Sequence, residues 1–381
     1  MTYAPATLAS RSWRLTTRGD PVLIMTSLIL ATTGAVMVYS ATRSQLVLNG
    51  DDPHYYLKRQ AVFIVVGVLL MAALATIDYR RLEQASTILY IGTLFALLGV
   101  YVVGTSSQGA QRWFSLGPLQ LQPSEFATLV LILAIATYCN RRPDGLDFRD
   151  LVRMVLLAAV PILLVIKQPD LGTAVVMAVT LMVMLAVAGM PGRYLLLLIV
   201  GALLVAVVAW KSGLLQQYQI QRLTGFISPN GKSGQEVHYN VSQAKNAIAD
   251  GGIFGKGLFH GTSTNLAYVP ERQTDFIFSA VGEQLGFVGT GVILLLYGVL
   301  AWRILRTAQL ARDMLGRLLC TGVFALLVFS VFENAGMNMG IMPVTGIPLP
   351  FLSYGGSAMI AFFIAIGLVS SVHARSVSMR R

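Results

Sequence analysis

Charge is scarce in this chain. Of 381 residues, only 12% are Asp, Glu, Lys or Arg, whereas a typical soluble domain carries roughly 25%. Histidine and cysteine are scarcer, at four and two. Cys139 and Cys320 show no metal-ligand spacing and read as small apolar packers. No fixed-period repeat and no Pro- or Ser-rich linker divides the sequence, so one domain over residues 1–381 is the simplest organisation. The start of the chain lacks a clean small-x-small cleavage site. Its apolar run also exceeds a signal peptide's core, so an uncleaved first transmembrane helix is expected.

What fills the chain is apolar sequence, at 55% of residues. Runs fall near 21–40, 61–77, 86–104, 121–139, 151–166, 172–190, 194–210, 276–302, 316–337 and 353–372. About 20 apolar residues span a bilayer, and a lipid-exposed segment must satisfy its own backbone. The pattern therefore predicts an all-α integral membrane protein of about ten transmembrane helices. The fifth run is short and contains Pro161, which makes it the weakest of the ten.

The formal charge of +11 would suggest nucleic acid in a soluble protein, but the basic residues sit in short loops between apolar runs. If the N-terminus is inside, 17 Arg residues fall in the tails and alternate loops, five basic residues in the short outer loops, and six in one long segment. The positive-inside rule then places both termini in the cytoplasm. The cytoplasmic tails are 1–20 and 373–381, and a large extracytoplasmic loop, 211–275, joins helices 7 and 8. Within it, Tyr239, Ser242, Lys245 and Ile248 lie at helical spacing, followed by Gly251, Gly252, Gly255 and Gly257. A surface helix and a Gly-rich turn are expected.

Several carboxylates stand where they are costly. Glu125, Glu283 and Glu333 lie in apolar runs, and Asp170 and Asp275 at outer helix ends. A charge at mid-membrane costs about 2.5–3.5 kcal/mol on insertion scales. Each one alone reads as well as a cap or a buried pair; together they suggest a polar cavity opening outward. Asp275 is the sharpest candidate, because Pro270, Glu271, Arg272 and Gln273 surround it with more chemistry than a helix cap needs. Between Met342 and Ser357, three prolines forbid regular helix. Gly355 and Gly356 then allow close backbone approach at the start of the last helix, where unpaired N–H groups suit an anion.

Motif by motif, the chain resembles the SEDS family of shape, elongation, division and sporulation proteins. The resemblance runs through Gln111-Arg112-Trp113, Gln122-Pro123-Ser124-Glu125, Gln168-Pro169-Asp170-Leu171-Gly172 and Gly251 to Gly257. It continues through Pro270-Glu271, Thr274 to Phe278, Asn334-Ala335-Gly336-Met337 and Pro348 to Ser357. The short tails place it nearer the elongation than the division branch. The resemblance implies a peptidoglycan glycosyltransferase that polymerises lipid II at the outer face of the cytoplasmic (inner) membrane. It also implies a class B penicillin-binding protein as partner and Mg2+ or Mn2+ as a divalent cofactor, whose ligands the sequence leaves unknown. Asp275 matches the family's catalytic aspartate and takes the general-base role. Arg112, Lys167, Lys256 and Arg272 are outer-side cations for a lipid pyrophosphate. Glu125, Asp170, Glu271, Ser353, Tyr354, Gly355, Gly356 and Ser357 complete the expected substrate contacts.

Two positions depart from the family's pattern. Thr128 stands where a lysine is usual, which leaves Glu125 to pair with Arg112 or Lys167 or to stay protonated. Gln284 stands where a second glutamate often follows Glu283. Two other functions are compatible with the composition: a flippase for a lipid-linked precursor, and a scaffold that only positions a partner. The motifs crowd the outer face in 105–120, 167–171, 211–275 and 338–352, which favours chemistry done outside.

Overall fold

Each apolar run becomes a helix because lipid leaves the peptide groups no other partner. In the computed structural model, which describes residues 19–107, 110–116, 119–142, 145–211, 220, 222, 226 and 235–377, the chain is nearly all helical. The helices are α1 (Pro21–Asn49), α2 (Tyr55–Thr76), α3 (Tyr79–Val103), α4 (Pro123–Asn140), α5 (Phe148–Lys167) and α6 (Leu171–Val187). They continue with α7 (Gly192–Lys211), α8 (Gln235–Gly251), the single turn α9 (Thr262–Asn265), α10 (Ile277–Leu310), α11 (Met314–Asn338) and α12 (Gly356–Val377). Seven of them, α1 to α4 and α10 to α12, are long and apolar enough to cross a membrane. The apolar parts of α6 and α7 are shorter. α5 passes through Pro161 without ending and carries charge at both ends, including Arg149, Asp150 and Lys167. The first 18 residues and the last four of the expected tails, and most of 212–234, lie outside the described residues.

One element departs from an all-α reading: a small antiparallel sheet of three strands, β1 (Thr105–Ser107), β2 (Ala110–Leu116) and β3 (Leu119–Leu121). This segment lies outside the apolar runs, and its strands pair with one another. Residues 373–377, the start of the expected C-terminal tail, continue α12.

The core is built around α4, α11 and α12, whose most apolar windows are 72%, 67% and 83% buried, against 22% and 17% for α2 and α3. Close approach rests on glycine. A Cβ at Gly67 of α2 would lie 2.4 Å from the Phe363 ring of α12, and one at Gly34 of α1 would lie 2.4 Å from the Phe351 carbonyl. Cys139 and Cys320 are buried, as the packing role requires. α1 starts with Asp20 as its cap, Oδ1 accepting from Val22 N–H at 3.1 Å. The other carboxylate oxygen accepts from Arg303 Nε of α10 at 2.6 Å.

The Gly-rich turn after α8 solves a backbone problem in α10. At Gly286 the helix is broken, with φ 67° and ψ −166°. In an unbroken helix the Glu283 and Gln284 carbonyls would accept from Phe287 and Val288. Here Glu283 and Gln284 accept instead from Lys256 N–H and Gly257 N–H, both at 3.0 Å. Phe287 and Val288 donate to the carbonyls of Gly252 and Ile253, at 2.9 and 3.1 Å. The turn must come very near: a Cβ at Gly251 or Gly255 would sit 2.0 or 2.2 Å from a backbone oxygen of α10. This is the physical content of the run Gly251 to Gly257.

Gly286→Ala tests this junction. A non-glycine residue at that φ/ψ costs about 1–3 kcal/mol, and the new Cβ would meet Gly255 N at 2.2 Å. Thermal unfolding in detergent is expected to shift down by several degrees. Gly298→Ala, in the same helix with open space around it, is expected to leave the transition in place.

Candidate active site

The chain returns from the long loop into the bundle through residues 270–276. Glu271 adopts a left-handed φ of 48°, and its carbonyl accepts from Thr274 N–H at 3.1 Å and Phe276 N–H at 3.2 Å. The turn delivers Asp275 to the mouth of α10, two residues before Ile277. Its backbone is pinned from α11. Asn334 and Asn338, one helical turn apart, both donate Nδ2–H to the Asp275 carbonyl, at 2.9 and 3.0 Å. Asn334 also donates to the Ile347 carbonyl at 2.8 Å, and Asn338 Oδ1 accepts from Ser279 N–H at 3.1 Å. Both asparagines are fully buried. Removing either amide would cost the Asp275 carbonyl one of its two donors, a loss of about 0.5–1.5 kcal/mol.

The side chain of Asp275 faces Gly346. A Cβ placed there would lie 3.2 Å from Asp275 Oδ2 and 3.1 Å from Arg222 Nη1. The carboxylate and the guanidinium therefore converge across a residue that must be small, and Gly346 also takes φ +79°. Asp275 keeps part of its surface accessible, yet packed protein removes most of the water that would stabilise its charge. Burial pushes its carboxyl up to about 6, with Glu271 and Asp170 acting in the same direction and Arg222 and Arg112 opposing it. A base with that affinity for protons is stronger than an ordinary aspartate and still ionised near neutral pH.

Around this point the structure gathers some of the expected residues. The Glu271 carboxylate accepts from Thr274 Oγ1 at 3.2 Å and Gln273 Nε2 at 3.4 Å. Arg112 of β2 donates Nε–H to the Gln168 carbonyl at 2.9 Å and Nη2–H to the Pro169 carbonyl, so it closes the end of α5 while its charge is felt at Asp275. Asp170 caps α6 through Thr173 N–H at 3.2 Å, and its other oxygen accepts from Gln122 Nε2 and Ser124 Oγ at 3.1 and 3.2 Å. Ser353 and Tyr354 hold the same turn from behind: Ser353 Oγ donates to the Thr274 carbonyl at 2.6 Å, and Tyr354 N–H to the Gln273 carbonyl at 2.8 Å. Ser357 Oγ accepts from Gln122 N–H at 2.8 Å. Gly356 starts α12 against Phe63, whose ring would be 2.5 Å from a Cβ there. Gly355 meets only Ala358 within 4 Å of such an atom. Lys167 is exposed at the end of α5, with no carboxylate within 4 Å among the described residues. Glu125 is half-buried in the first turn of α4, and neither Arg112 nor Lys167 forms an ion pair with it.

Two of the expected cations are used elsewhere. Arg272 is 4% exposed and points to α1, donating to the Ala41 carbonyl at 2.7 Å and to Gln45 Oε1 at 2.5 Å. Lys256 contacts Asp250 at 3.1 Å, Thr262 Oγ1 at 3.3 Å and Glu283 at 3.7 Å. Fully buried Glu283 binds the N–H groups of Ser263 and Thr264 at 2.7 and 2.9 Å, which anchors the long loop to α10. Gln284, the second departure from the family's pattern, accepts from Ser40 Oγ at 2.5 Å and Phe259 N–H at 3.1 Å. A glutamine serves these donors through its oxygen. The residues that sequence reasoning missed are Arg222, one of six basic residues in the long loop, and the Asn334/Asn338 pair. An i, i+4 pair of amides in an apolar helix was the available signal for the latter.

Beside Pro123, an apolar cavity of about 220 Å³ opens between α3 and α4, lined by Thr93, Ala96, Leu121, Pro123 and Phe126. Among the described residues, no three of His, Cys, Asp and Glu are grouped to hold a metal ion.

Comparison with known proteins agrees with this architecture. The chain is 35% identical to the peptidoglycan glycosyltransferase MrdB of Escherichia coli K12 over 354 residues, 93% of each chain. It superposes on a chain of a peptidoglycan synthase complex that coordinates polymerization and crosslinking. The TM-score is 0.80 at 35% identity, covering 94% of this chain and 99% of that one. A variant of the rod shape determining protein RodA from Thermus thermophilus matches with TM-score 0.71 at 33% identity, covering 94% and 99%. A sequence profile described as cell cycle protein, shared by FtsW, RodA and SpoVE, matches residues 21–378. With the match running almost end to end, the chain belongs to the FtsW/RodA/SpoVE family, the SEDS proteins.

Proposed function

We propose that this protein is a peptidoglycan glycosyltransferase that polymerises lipid II into glycan strands at the outer face of the cytoplasmic membrane during cell elongation. One observation carries the reading: a half-accessible carboxyl with raised proton affinity, fixed through its own backbone and facing a guanidinium. The topology that goes with it is a single domain of ten crossings, with both termini in the cytoplasm. The ten helices that match the ten apolar runs and the arginine asymmetry support that count. A class B penicillin-binding protein is the proposed partner.

The reaction joins an acceptor sugar hydroxyl to the anomeric carbon of a donor sugar. The new C–O bond forms as the bond from that carbon to the lipid pyrophosphate breaks. Asp275 accepts the hydroxyl proton, which a weak nucleophile must lose as it attacks. Negative charge grows on the departing pyrophosphate, and positive groups held in place stabilise it. Arg222 and Arg112 are the cations whose charge reaches Asp275, and exposed Lys167 lies at the end of α5. The isoprenoid tail stays in lipid, and the apolar cavity beside Pro123 fits part of such a chain. The described residues form no three-ligand cage for Mg2+ or Mn2+. Such an ion would arrive on the pyrophosphate, as small hard cations do where protein supplies one or two carboxylates. No step is routed through it.

The decisive assay supplies fluorescent lipid II to the protein reconstituted with its penicillin-binding partner and resolves glycan polymer on a gel. Asp275→Asn is expected to lower the initial rate by about 10²–10⁴-fold, the usual contribution of a general base, with unfolding temperature unchanged. Polymer at the parental rate would remove Asp275 from the chemistry. Lipid II crossing liposome membranes without polymer would make the chain a transporter.

The pH profile gives a second test. Asp275 acts as a carboxylate, so the rate is present above its ionisation and lost as pH falls through about 6. Arg222 favours the ionised form. Arg222→Gln is therefore expected to move the acid limb to higher pH, a shift that a loss of substrate affinity alone would not give.

A further inference from the structure

At the end of the bundle opposite Asp275, α3, α4 and α5 enclose a second cavity, of about 410 Å³. α4 has 18 residues, so roughly 27 Å separates this end from the Gln122–Asp170 cluster. The cavity is graded. Arg141 and Arg142 stand at its rim, 62% and 47% exposed. Ser86, Thr137 and Tyr138 follow, and Ala134 and Leu157 form its apolar floor. On either side of its mouth the helices present large apolar side chains to lipid, including Ile88 at 76% and Leu156 at 61% exposure.

Three features point to a ligand. Thr137 lines the cavity and is 6% exposed, yet its Oγ1 has no hydrogen-bond partner. Thr42, Thr307 and Thr321 return their hydroxyl to the carbonyl four residues earlier, whereas Thr137, like Thr180 of α6, does not. A buried hydroxyl without a partner is costly. Next, both rim arginines meet their carboxylates only at long range through Nε: Arg141 with Glu83 at 3.6 Å, and Arg142 with Asp150 at 3.7 Å. A guanidinium carries five N–H donors, so each has capacity for an anion. Finally, three guanidiniums, those of Arg141, Arg142 and Arg153, share two carboxylates at the cavity, Glu83 and Asp150, with Arg153 meeting Asp150 at 3.5 Å.

We propose that this cavity binds the headgroup of an anionic phospholipid. The phosphodiester sits between Arg141 and Arg142, the Thr137 hydroxyl donates to one of its oxygens or to a glycerol oxygen, and the acyl chains lie along Ile88 and Leu156. Basic pockets between membrane helices select anionic headgroups in this way. The graded wall favours a lipid over a free phosphate, because a soluble anion gains nothing from the apolar floor and flanks. Placing the site in the cytoplasmic leaflet rests on the topology proposed above. The site itself does not, and its test reads binding, not polymer, so the two readings fail separately.

The test uses the whole protein, stripped of lipid in detergent. Native mass spectrometry and thermal shift are read against phosphatidylglycerol, phosphatidylethanolamine and inorganic phosphate. Phosphatidylglycerol is expected to bind at one copy and raise the unfolding temperature, ahead of the other two. Its affinity is expected to fall about fivefold for each of Arg141→Gln and Arg142→Gln, in line with the worth of one basic residue at an anionic headgroup. Thr137→Val keeps the shape of the side chain. It is expected to weaken phosphatidylglycerol binding while the lipid-free protein unfolds at the same temperature or higher. Arg149→Gln removes the same charge outside the cavity and is expected to leave affinity unchanged. Equal losses from Arg149→Gln and the rim variants would reduce the effect to general surface charge and overturn the site. Equal stabilisation by phosphatidylethanolamine or by inorganic phosphate would overturn the anionic-lipid assignment.

Discussion

A peptide group that leaves a helix inside lipid has no water to bond with, so another part of the protein must supply its partner. Several polar residues in this chain answer that demand. The break in α10 is tolerated because residues 252–257 supply the missing donors and acceptors. The end of α5 is closed by the Arg112 guanidinium, and the proline-rich return before α12 is held by Ser353. The Asp275 carbonyl, at the point of re-entry, takes both amides of α11.

This demand fixes the site as well as the backbone. Because the Asp275 carbonyl is held twice, its carboxyl sits on a backbone that has little freedom to turn. Because Gly346 has no side chain, Arg222 can approach it. The same packing that orders the carboxyl strips its water and raises its proton affinity, so positioning and basicity have a common cause. Residues such as Arg272 and Glu283 are equally polar but more deeply buried, and their donors and acceptors are occupied by loop and helix backbone. They stabilise the frame.

Helices, their approximate limits, the α8 segment and the position of Asp275 where the long loop re-enters the bundle were all legible, because period, length and cost in lipid act through local sequence. The destination of each long side chain was not. Arg272 and Lys256 looked like cations facing a pyrophosphate, but a guanidinium reaches whatever carbonyl the fold places nearby, and the Ala41 carbonyl lies 231 residues away in sequence. The short sheet at 105–121 escaped notice because three strands of three to seven residues leave little periodic signal. Arg222 could not be singled out among six basic residues of one long loop, because its role depends on a contact made across Gly346.

The fastening of α1 carries a mechanical implication. Asp20 grips Arg303 toward one end of α10; toward the other, Ser40 meets Gln284 and Arg272, just ahead of the helix, holds Ala41 and Gln45. Clasped toward both ends, the two helices form one girder. A bulky lipid-borne sugar entering or leaving must find its door on another flank, where the helices are less firmly riveted to their neighbours.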